Sequence, residues 1–405
     1  MQQLEEYETF DDMNLPEPIL RGVYSYGFEK PSAIQKKAIV PLAQGKNTIA
    51  QAQSGTGKTG TFTIGLLSRI DTKISSCQAL ILSPTHELAN QTADVLKSIG
   101  QYTGIVCHTC IGGTSIDEDI RILRKGVHVV VGTPGRTYDM LRREDRSTGE
   151  PVLDGRNIKM IVLDEADEML SKEGFQDIVY DILEELDRDY QIGLFSATMP
   201  PELLKLVEKF VPDPVKIIVK SEELTLEGIR QYYVQVDDER WKMDVITDLH
   251  KEISVHTCVI FCNSQKTVDF LTHALLSKQF AVVGIHGSMS SETRRDIMRQ
   301  FRAGEIRIII TTDLLARGID VQQVSIVFNY DLPRDIENYL HRIGRSGRFG
   351  RKGLAINLLT LPSKNPRDSR DSRPPRMNDV ETIREIEKYY NTVIDALPMN
   401  FSSYL

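Results

Sequence analysis

The sequence predicts an α/β protein of two domains, each a mostly parallel sheet flanked by helices, joined by a flexible linker. Three features of the 405-residue chain indicate this. Short apolar runs rich in branched residues recur at strand length. Amphipathic stretches of helical period lie between them. The apolar runs form two groups, and strands that alternate with helices favour parallel sheets covered on both faces.

The predicted elements follow one another in two sets. The first set of strands comprises residues 79–82, 127–131, 160–163 and 192–195, and the second comprises 258–261, 306–310, 324–328 and 354–359. Helices are predicted at 61–70, 87–99, 293–301 and 379–390. A polar segment separates the sets, so we predict an N-terminal domain at 1–222, a linker at 223–229 and a C-terminal domain at 230–405.

The composition is that of an ordinary globular protein, with 40% hydrophobic and 26% charged residues. No apolar run approaches the ~18 residues of a membrane span, and the N-terminus does not resemble a signal peptide. The net charge of −8 argues against a generic basic nucleic-acid binder. The charge is uneven, however: residues 164–189 hold eleven acidic and two basic residues, whereas residues 334–376 hold four acidic and eleven basic.

The cysteines are too few and too scattered for a disulfide framework, which favours a reducing compartment. They are Cys77, Cys107, Cys110, Cys258 and Cys262. The spacing of Cys107 and Cys110 also fits a metal or redox pair, but the other pair lies about 150 residues away. Small buried thiols are the favoured interpretation.

A glycine-rich segment at residues 52–59, Ala-Gln-Ser-Gly-Thr-Gly-Lys-Thr, follows a short apolar run and precedes a predicted helix. Its glycines let several N–H groups point at a phosphate, and the helix adds its positive end. Lys58 is predicted to reach the β- and γ-phosphates, and Thr59 to bind Mg²⁺. Ala52 departs from the pattern's first glycine, and a chance glycine-rich turn is the alternative. The predicted phosphate-binding residues are Ser54, Gly55, Thr56, Gly57, Lys58 and Thr59.

Two acidic residues directly follow the predicted strand 160–163. Ligands collect at the carboxyl ends of parallel strands. Asp164 is predicted to hold Mg²⁺, largely through water, and Glu165 to accept a proton from the attacking water. The alternative is an acidic helix start stabilised by the helix dipole.

A basic cluster lies in residues 341–348, His-Arg-Ile-Gly-Arg-Ser-Gly-Arg. If the segment is helical, Arg342, Arg345 and Arg348 share one face. Arg345 and Arg348 are predicted to act as catalytic arginines on the γ-phosphate once the domains close on ATP. The alternative is a solvated basic face.

Together these motifs resemble the DEAD-box RNA helicases, over nearly the whole chain, with residues 164–167 reading Asp-Glu-Ala-Asp. The resemblance implies two RecA-like domains that use ATP and Mg²⁺. It also implies an adenine-recognising motif at 8–36, in which Gln35 bonds the adenine edge and Phe10 or Phe28 packs on the ring. A helix-entry loop with a buried Phe is the alternative reading of that segment.

The same resemblance assigns residues that bind RNA, residues that couple hydrolysis to unwinding, and further nucleotide contacts. RNA contacts are expected at Pro84, Thr85, His86, Gly113, Thr133, Arg136, Asn263, Gly287, Arg294 and Thr312. Coupling is expected at Ser196, Thr198, His341 and Arg342, and further nucleotide contacts at Gly318 and Asp320. Small polar residues, backbone amides and arginines are what phosphate-tracking grooves use.

The chain departs from the family pattern in three places. His86 stands where the family carries Arg, which predicts weaker RNA binding that tightens as the pH falls from 7.5 to 6. Ser291 stands where the family has Gln, which puts one RNA contact in doubt. Residues 363–377 form a longer, basic, proline-containing loop, either an inert insertion or an extra RNA or partner contact.

The resemblance implies an enzyme, an ATP-dependent RNA helicase whose hydrolysis is stimulated by single-stranded RNA and separates short RNA duplexes. Within the family, the translation-initiation branch is the nearer match. That match implies a cytoplasmic protein that is a monomer outside complexes and binds a scaffold protein of the cap-binding complex. No association with a membrane is expected. The alternative is a nuclear relative in splicing-linked complexes or ribosome assembly, working as a nucleotide-gated RNA clamp. A kinase or DNA translocase is least favoured, because nothing accounts for a phosphoacceptor site.

Overall fold

The computed structural model describes residues 5–52, 55–145, 149–171, 174–187, 189–218, 229–252, 257–313, 324–346, 353–360 and 378–398. The chain divides into two compact units, Met1–Val219 and Lys220–Leu405. The first strand of the second unit begins at Ile229, the last residue of the predicted linker. Among the described residues, no helix has the length and apolar character that crossing a membrane requires.

The first unit is a seven-stranded parallel sheet in the order β3-β4-β2-β5-β6-β1-β7. Its strands are β1 Thr48–Gln51, β2 Ala79–Leu82, β3 Cys107–Cys110, β4 Val129–Gly132, β5 Met160–Asp164, β6 Gln191–Ser196 and β7 Val215–Ile218. Its helices are α1 Glu17–Ser25, α2 Ala33–Ala43, α3 Lys58–Leu67, α4 His86–Ile99, α5 Ile116–Arg124, α6 Pro134–Arg142, α7 Ala166–Ser171, α8 Phe175–Glu184 and α9 Pro201–Val207.

The second unit repeats this architecture, with the order β10-β11-β9-β12-β13-β8-β14 and parallel pairing throughout. Its strands are β8 Ile229–Val236, β9 Cys258–Phe261, β10 Val282–Ile285, β11 Ile308–Thr311, β12 Ile326–Asn329, β13 Gly353–Thr360 and β14 Asp395–Ala396. Its helices are α10 Trp241–Glu252, α11 Gln265–Ser277, α12 Ser291–Arg302, α13 Ile336–Ile343 and α14 Asp379–Tyr390.

The core lies on both faces of each sheet, as the continuous apolar runs predict. In β2, Ala79 and Ile81 join one hydrophobic cluster, whereas Leu80 and Leu82 join the cluster on the other side. Full burial of a leucine or isoleucine side chain contributes about 1.5–3 kcal/mol relative to leaving it exposed. The predicted fold class, two parallel sheets covered by helices, is confirmed.

Local capping fixes where several helices begin. Thr85, Ser115 and Ser290 each accept a hydrogen bond from a backbone N–H of the following first turn. At the start of α2, the backbone N–H of Ser32 donates to the Gln35 side chain at 2.9 Å, which is one half of a capping box. These caps set the loops at the carboxyl ends of the strands, where the predicted site residues lie.

All five cysteines are free thiols, and four of them are buried. Burial raises the pKa of the Cys77 thiol to about 12. Burial also raises the pKa of the Cys107 thiol to about 12, although part of this residue remains accessible to solvent. Protonated thiols of this kind pack as small apolar groups, in line with the sequence interpretation.

Candidate functional site

The glycine-rich segment turns from β1 into α3 through left-handed backbone. Gly55 and Gly57 have φ values of +83° and +97°, which residues with a Cβ atom rarely adopt. Gly57 is also the N-cap of α3, and Lys58 begins the helix. A glycine-rich turn that leads into a helix N-terminus is the arrangement that binds phosphate.

Lys58 meets the acidic pair at the end of β5. Its Nζ lies 3.5 Å from Glu165 Oε2, and both side chains are buried. Asp164 is the last residue of β5 and accepts a 3.0 Å hydrogen bond from the backbone N–H of Glu165. Glu165 has a φ of +50°, an uncommon conformation for a non-glycine residue that turns its side chain at a strand end.

Burial and the charge of Glu165 raise the pKa of the Asp164 carboxyl to about 7, and Lys58 only partly opposes this rise. A buried carboxyl of this kind gains from a nearby cation, because a cation favours its charged form. The hydroxyl of half-buried Thr59 and the carboxylate of Asp164 are oxygen donors that suit Mg²⁺. The residues present therefore fit the predicted ion.

The predicted coupling residues Ser196 and Thr198 lie where β6 ends and contact the acidic motif directly. Thr198 Oγ1 donates a 2.7 Å hydrogen bond to Asp167 Oδ2. Ser196 Oγ donates to the carbonyl of Thr198 at 2.6 Å, and all three residues are buried. The end of β6 is thus tied to the first turn of α7.

The predicted adenine residues pack against the phosphate loop. A Cβ added to Gly57 would lie 2.8 Å from Gln35 Nε2, and one added to Gly60 would lie 2.7 Å from Phe28 Cε2. Phe28 is half-buried, whereas Phe10 is fully buried and stacks on Phe28 with ring centroids 6.2 Å apart. Of the two aromatic candidates, Phe28 is the one with accessible surface, and Phe10 supports it from behind.

The predicted RNA residues of the first unit lie at the other end of the same sheet edge, after β2, β3 and β4. Pro84, Thr85 and His86 follow β2, and a Cβ added to Gly112 would lie 3.2 Å from His86 Nε2. Gly113 is exposed with a φ of +79°. Thr133 directly precedes α6, and Arg136 in the first turn of that helix hydrogen-bonds Thr114. The sheet order separates these residues from the phosphate loop, which follows β1.

In the second unit, Arg342 is fully buried and is the centre of a polar cluster. It forms a two-pronged ion pair with Asp313, in which Nη2 lies 2.8 Å from Oδ2. The same nitrogen donates to Asn263 Oδ1 at 2.8 Å, and Nη1 donates to the carbonyl of Asp331 at 2.6 Å. Arg342 therefore joins the ends of β9, β11 and β12 from α13.

The basic motif is not one continuous helix. Helix α13 ends at Ile343, and Gly344 follows as its C-cap, so Arg345 lies in a turn. The condition for Arg342 and Arg345 to share a helical face, a continuous helix, is therefore not met, because glycine readily ends a helix. Arg345 is buried and donates from Nε to the carbonyl of His341 at 2.9 Å.

The other predicted residues of the second unit lie at strand ends or in the helix after them. Asn263 follows β9, and its backbone N–H donates a 2.7 Å hydrogen bond to Asp331 Oδ2. Gly287 is exposed after β10, Thr312 is half-buried after β11, and Arg294 is buried in α12. Ser54, Gly318, Asp320, Arg348 and the loop 363–377 lie outside the described residues.

Sequence reasoning missed the partners that hold these side chains. Asp313 and Asn329 both hydrogen-bond Arg342, and Asp119 forms an ion pair with Arg136. Asp313 and Asn329 occur in segments that resemble the family, and this resemblance is the sequence signal that could have marked them as functional. Asp119 lies outside every motif, on the polar helix α5, and nothing in the sequence marks it.

A possible ligand set for a metal, formed by His108, Cys110 and Asp119, also lies in the first unit with donor atoms within 4.8 Å of one another. Both carboxylate oxygens of Asp119 are already engaged. His108 Nε2 lies 2.9 Å from Oδ1, and Arg136 Nη1 bonds Oδ2. This cluster is a hydrogen-bonded network in which Arg136 supplies the positive charge beside the carboxylate.

Comparison with known families identifies two matching regions. Residues 32–206 match the family model described as DEAD/DEAH box helicase, and residues 241–350 match the helicase conserved C-terminal domain. The chain is 53% identical over 401 residues to eukaryotic initiation factor 4A-9 of Nicotiana tabacum, covering 99% of this chain and 91% of that protein. It is also 53% identical to eukaryotic initiation factor 4A of Drosophila melanogaster, covering 99% and 94%.

Among solved structures, the chain is similar to Dbp5 of S. cerevisiae bound to RNA and ADP BeF3. The two share 34% identity with a TM-score of 0.86, and the match covers 96% of this chain and 95% of that one. Mss116p bound to single-stranded RNA and AMP-PNP is similar at 25% identity, with a TM-score of 0.82 and 99% and 82% coverage.

Proposed function

The chain belongs to the DEAD/DEAH box helicase family, and from this we propose that it is an ATP-dependent RNA helicase acting in translation initiation. The resemblance in its motifs is thereby confirmed. The observation that best supports the catalytic part is the buried group of Lys58, Asp164 and Glu165 at the N-terminus of α3. The group brings the lysine at the N-terminus of α3 together with two buried carboxylates.

In the proposed reaction, the N–H groups around Gly57 and the amine of Lys58 hold the β- and γ-phosphates of ATP. Lys58 turns from Glu165 to the phosphates, which leaves the Glu165 carboxylate to orient a water and accept its proton. Asp164 and Thr59 would hold Mg²⁺, which supplies positive charge at the phosphate oxygens. Arg345 and Arg348 are proposed to stabilise the charge on the γ-phosphate.

We propose that RNA binds by its backbone, without reading of base sequence. The support in the first unit is a row of small, polar and basic residues after β2, β3 and β4, away from the phosphate loop. The hydrogen bond between Thr198 and Asp167 supports a coupling role for the end of β6, because it ties that strand to the acidic motif. Binding without sequence readout suits an enzyme that opens short duplexes of varied sequence.

The initiation factors to which the chain is similar support a role in translation. We propose that it acts in the cytoplasm, as a monomer outside complexes, with a scaffold protein of the cap-binding complex. Tagging the protein in cells and identifying what copurifies tests this. Recovery of splicing or ribosome-assembly factors instead of cap-binding proteins would contradict the proposed role, and leave the helicase activity standing.

The enzymatic proposal is tested by steady-state ATP hydrolysis with and without single-stranded RNA. We expect strong RNA stimulation, and Glu165→Gln should lower turnover about 10²–10⁴-fold while ATP and RNA still bind. Glu184→Gln, which removes an exposed charge from α8, is the matched control and should hydrolyse ATP normally. Absence of turnover with every RNA tested would instead support a nucleotide-gated clamp. Equal stimulation by deoxy-oligonucleotides would contradict RNA specificity.

A further inference from the structure

Arg136, in the first turn of α6, is held by contacts from outside its own loop. Its Nη2 donates to the carbonyl of Thr114 at 3.0 Å, and its Nη1 donates to the Thr114 hydroxyl at 3.2 Å. The same Nη1 forms an ion pair with Asp119. Only 10% of the Arg136 side chain is exposed. Its position is therefore set by residues of the neighbouring segment 111–119.

Asp119 is a buried charge on a helix that carries no family motif. It lies in the first turn of α5, whose N-cap is Ser115, and is 2% exposed. One carboxylate oxygen contacts Arg136, and the other lies 2.9 Å from His108 Nε2. A carboxylate buried to this extent costs free energy unless it is paired, so the pairing with Arg136 is a condition of its position.

The contacts of Arg136 tie two loops together. The loop after β3 contains Gly113 and Thr114, and the Thr114 hydroxyl also donates to the carbonyl of Ile111 at 2.8 Å. The loop after β4 contains Thr133, whose N–H donates to the carbonyl of Cys110 at 3.1 Å. These are the two adjacent loops that the proposed function uses for the RNA backbone.

We propose that Asp119 is a positioning residue for RNA binding. Its carboxylate fixes the Arg136 guanidinium and thereby locks the loop after β3 to the first turn of α6. Asp119 does not contact RNA. It sets the geometry in which Arg136 and the backbone around Gly113 meet consecutive phosphates, so that RNA binding need not order these groups. This inference rests on the proposed RNA-binding function.

The direction in which one substitution changes RNA affinity distinguishes this positioning role from a purely electrostatic effect. Asp119→Asn removes a negative charge from the RNA side of the unit, and charge alone predicts tighter RNA binding. Loss of the lock predicts the opposite: about a tenfold rise in the Kd for single-stranded RNA, the size of one lost charged hydrogen bond. Glu118→Gln removes the same charge from an exposed ion pair on the same helix, and is the matched control.

The measurements use the full chain with a non-hydrolysable ATP analogue, and then RNA-stimulated ATPase. In Asp119→Asn we expect a raised KM for RNA, with kcat at saturating RNA and the KM for ATP unchanged. Glu118→Gln should bind RNA as tightly as the wild type or slightly tighter. Wild-type or tighter binding by Asp119→Asn overturns the proposal. A wild-type protein that binds no RNA would instead overturn the proposed function itself.

A double-mutant cycle tests whether Asp119 acts through Arg136. In an Arg136→Gln background, Asp119→Asn should weaken RNA binding no further. A full additional loss would mean that Asp119 acts by holding the fold, and would overturn the positioning role. Should Asp119→Asn unfold at the assay temperature, Thr114→Val removes the other side-chain contact of Arg136. It should then weaken binding in the wild type and not in Arg136→Gln, and any other pattern overturns the proposal.

Discussion

The hydroxyl of Thr198 donates a 2.7 Å hydrogen bond to the carboxylate of Asp167, joining the end of β6 to the acidic motif that follows β5. Both residues are buried, and the bond spans 31 positions of the sequence. It connects the segment predicted to couple hydrolysis with unwinding to the neighbours of Glu165.

Removing this bond should separate hydrolysis from unwinding. Thr198→Val keeps the shape of the side chain and deletes the donor. We expect RNA-stimulated ATP hydrolysis to stay within about threefold of wild type and duplex unwinding to fall about tenfold or more, the size of one buried charge-assisted bond. Thr272→Val removes a hydroxyl bound within α11 and is the control. Parallel loss of both activities would contradict a coupling role.

Asp164→Asn should stabilise the protein without ligands while abolishing hydrolysis. Because the folded state raises the pKa of Asp164 to about 7, folding takes up a proton and becomes less favourable as the pH rises from about 4 to 7. The variant escapes this loss, so its unfolding free energy at pH 8 should exceed that of the wild type by about 2–4 kcal/mol. Denaturant unfolding without Mg²⁺ measures it, and the gap should shrink at pH 5. Equal stability at pH 8 would contradict the raised pKa.

Gly60→Ala should weaken ATP binding. The new Cβ would lie 2.7 Å from Phe28 Cε2 and 3.1 Å from Gln35 Nε2, so both proposed adenine contacts must shift. We expect the KM for ATP to rise about tenfold with little change in kcat, as for an interaction present equally in ground and transition states. Gly100→Ala, whose Cβ would meet ordinary contacts of 3.4 Å or more, is the control. An unchanged KM would argue against these residues as the adenine site.

His86→Arg should tighten RNA binding. His86 begins α4 and its ring packs beside Gly112, next to the loop that carries Gly113. An arginine there adds a permanent positive charge and a fork of donors for a phosphate, worth about 1–2 kcal/mol. Wild-type binding should tighten from pH 7.5 to 6, and the variant should lose that dependence. His273→Arg adds the same charge to an exposed position on α11. Equal tightening in this control would mean that charge alone matters.

The sequence predicts the sheets because their strands are continuous apolar runs, and it predicts the phosphate loop because glycines precede Lys58 directly. It does not predict how Arg342 is used. A charged residue is rarely found buried, and its partners Asn329 and Asn263 lie 13 and 79 positions away. Such long-range pairings are decided by the tertiary fold. Similarly, the complete burial of Phe10 depends on packing against Tyr24 and Phe28, which a local pattern cannot indicate.

The buried cluster around Arg342 has a consequence for how genetic variants of this protein should be interpreted. Asn329 donates to Asn357 at 2.8 Å, and Asn357 donates to the Tyr339 hydroxyl at 3.1 Å, so the polar chain runs on through the interior of the second unit. Loss of Arg342 leaves Asp313 and two asparagine side chains without their shared donor. Substitutions of Arg342 should therefore destabilise the protein and lower its amount in the cell. A clinical or screening phenotype at this position should be interpreted first as a loss of folded protein, and only then as a defect in helicase activity.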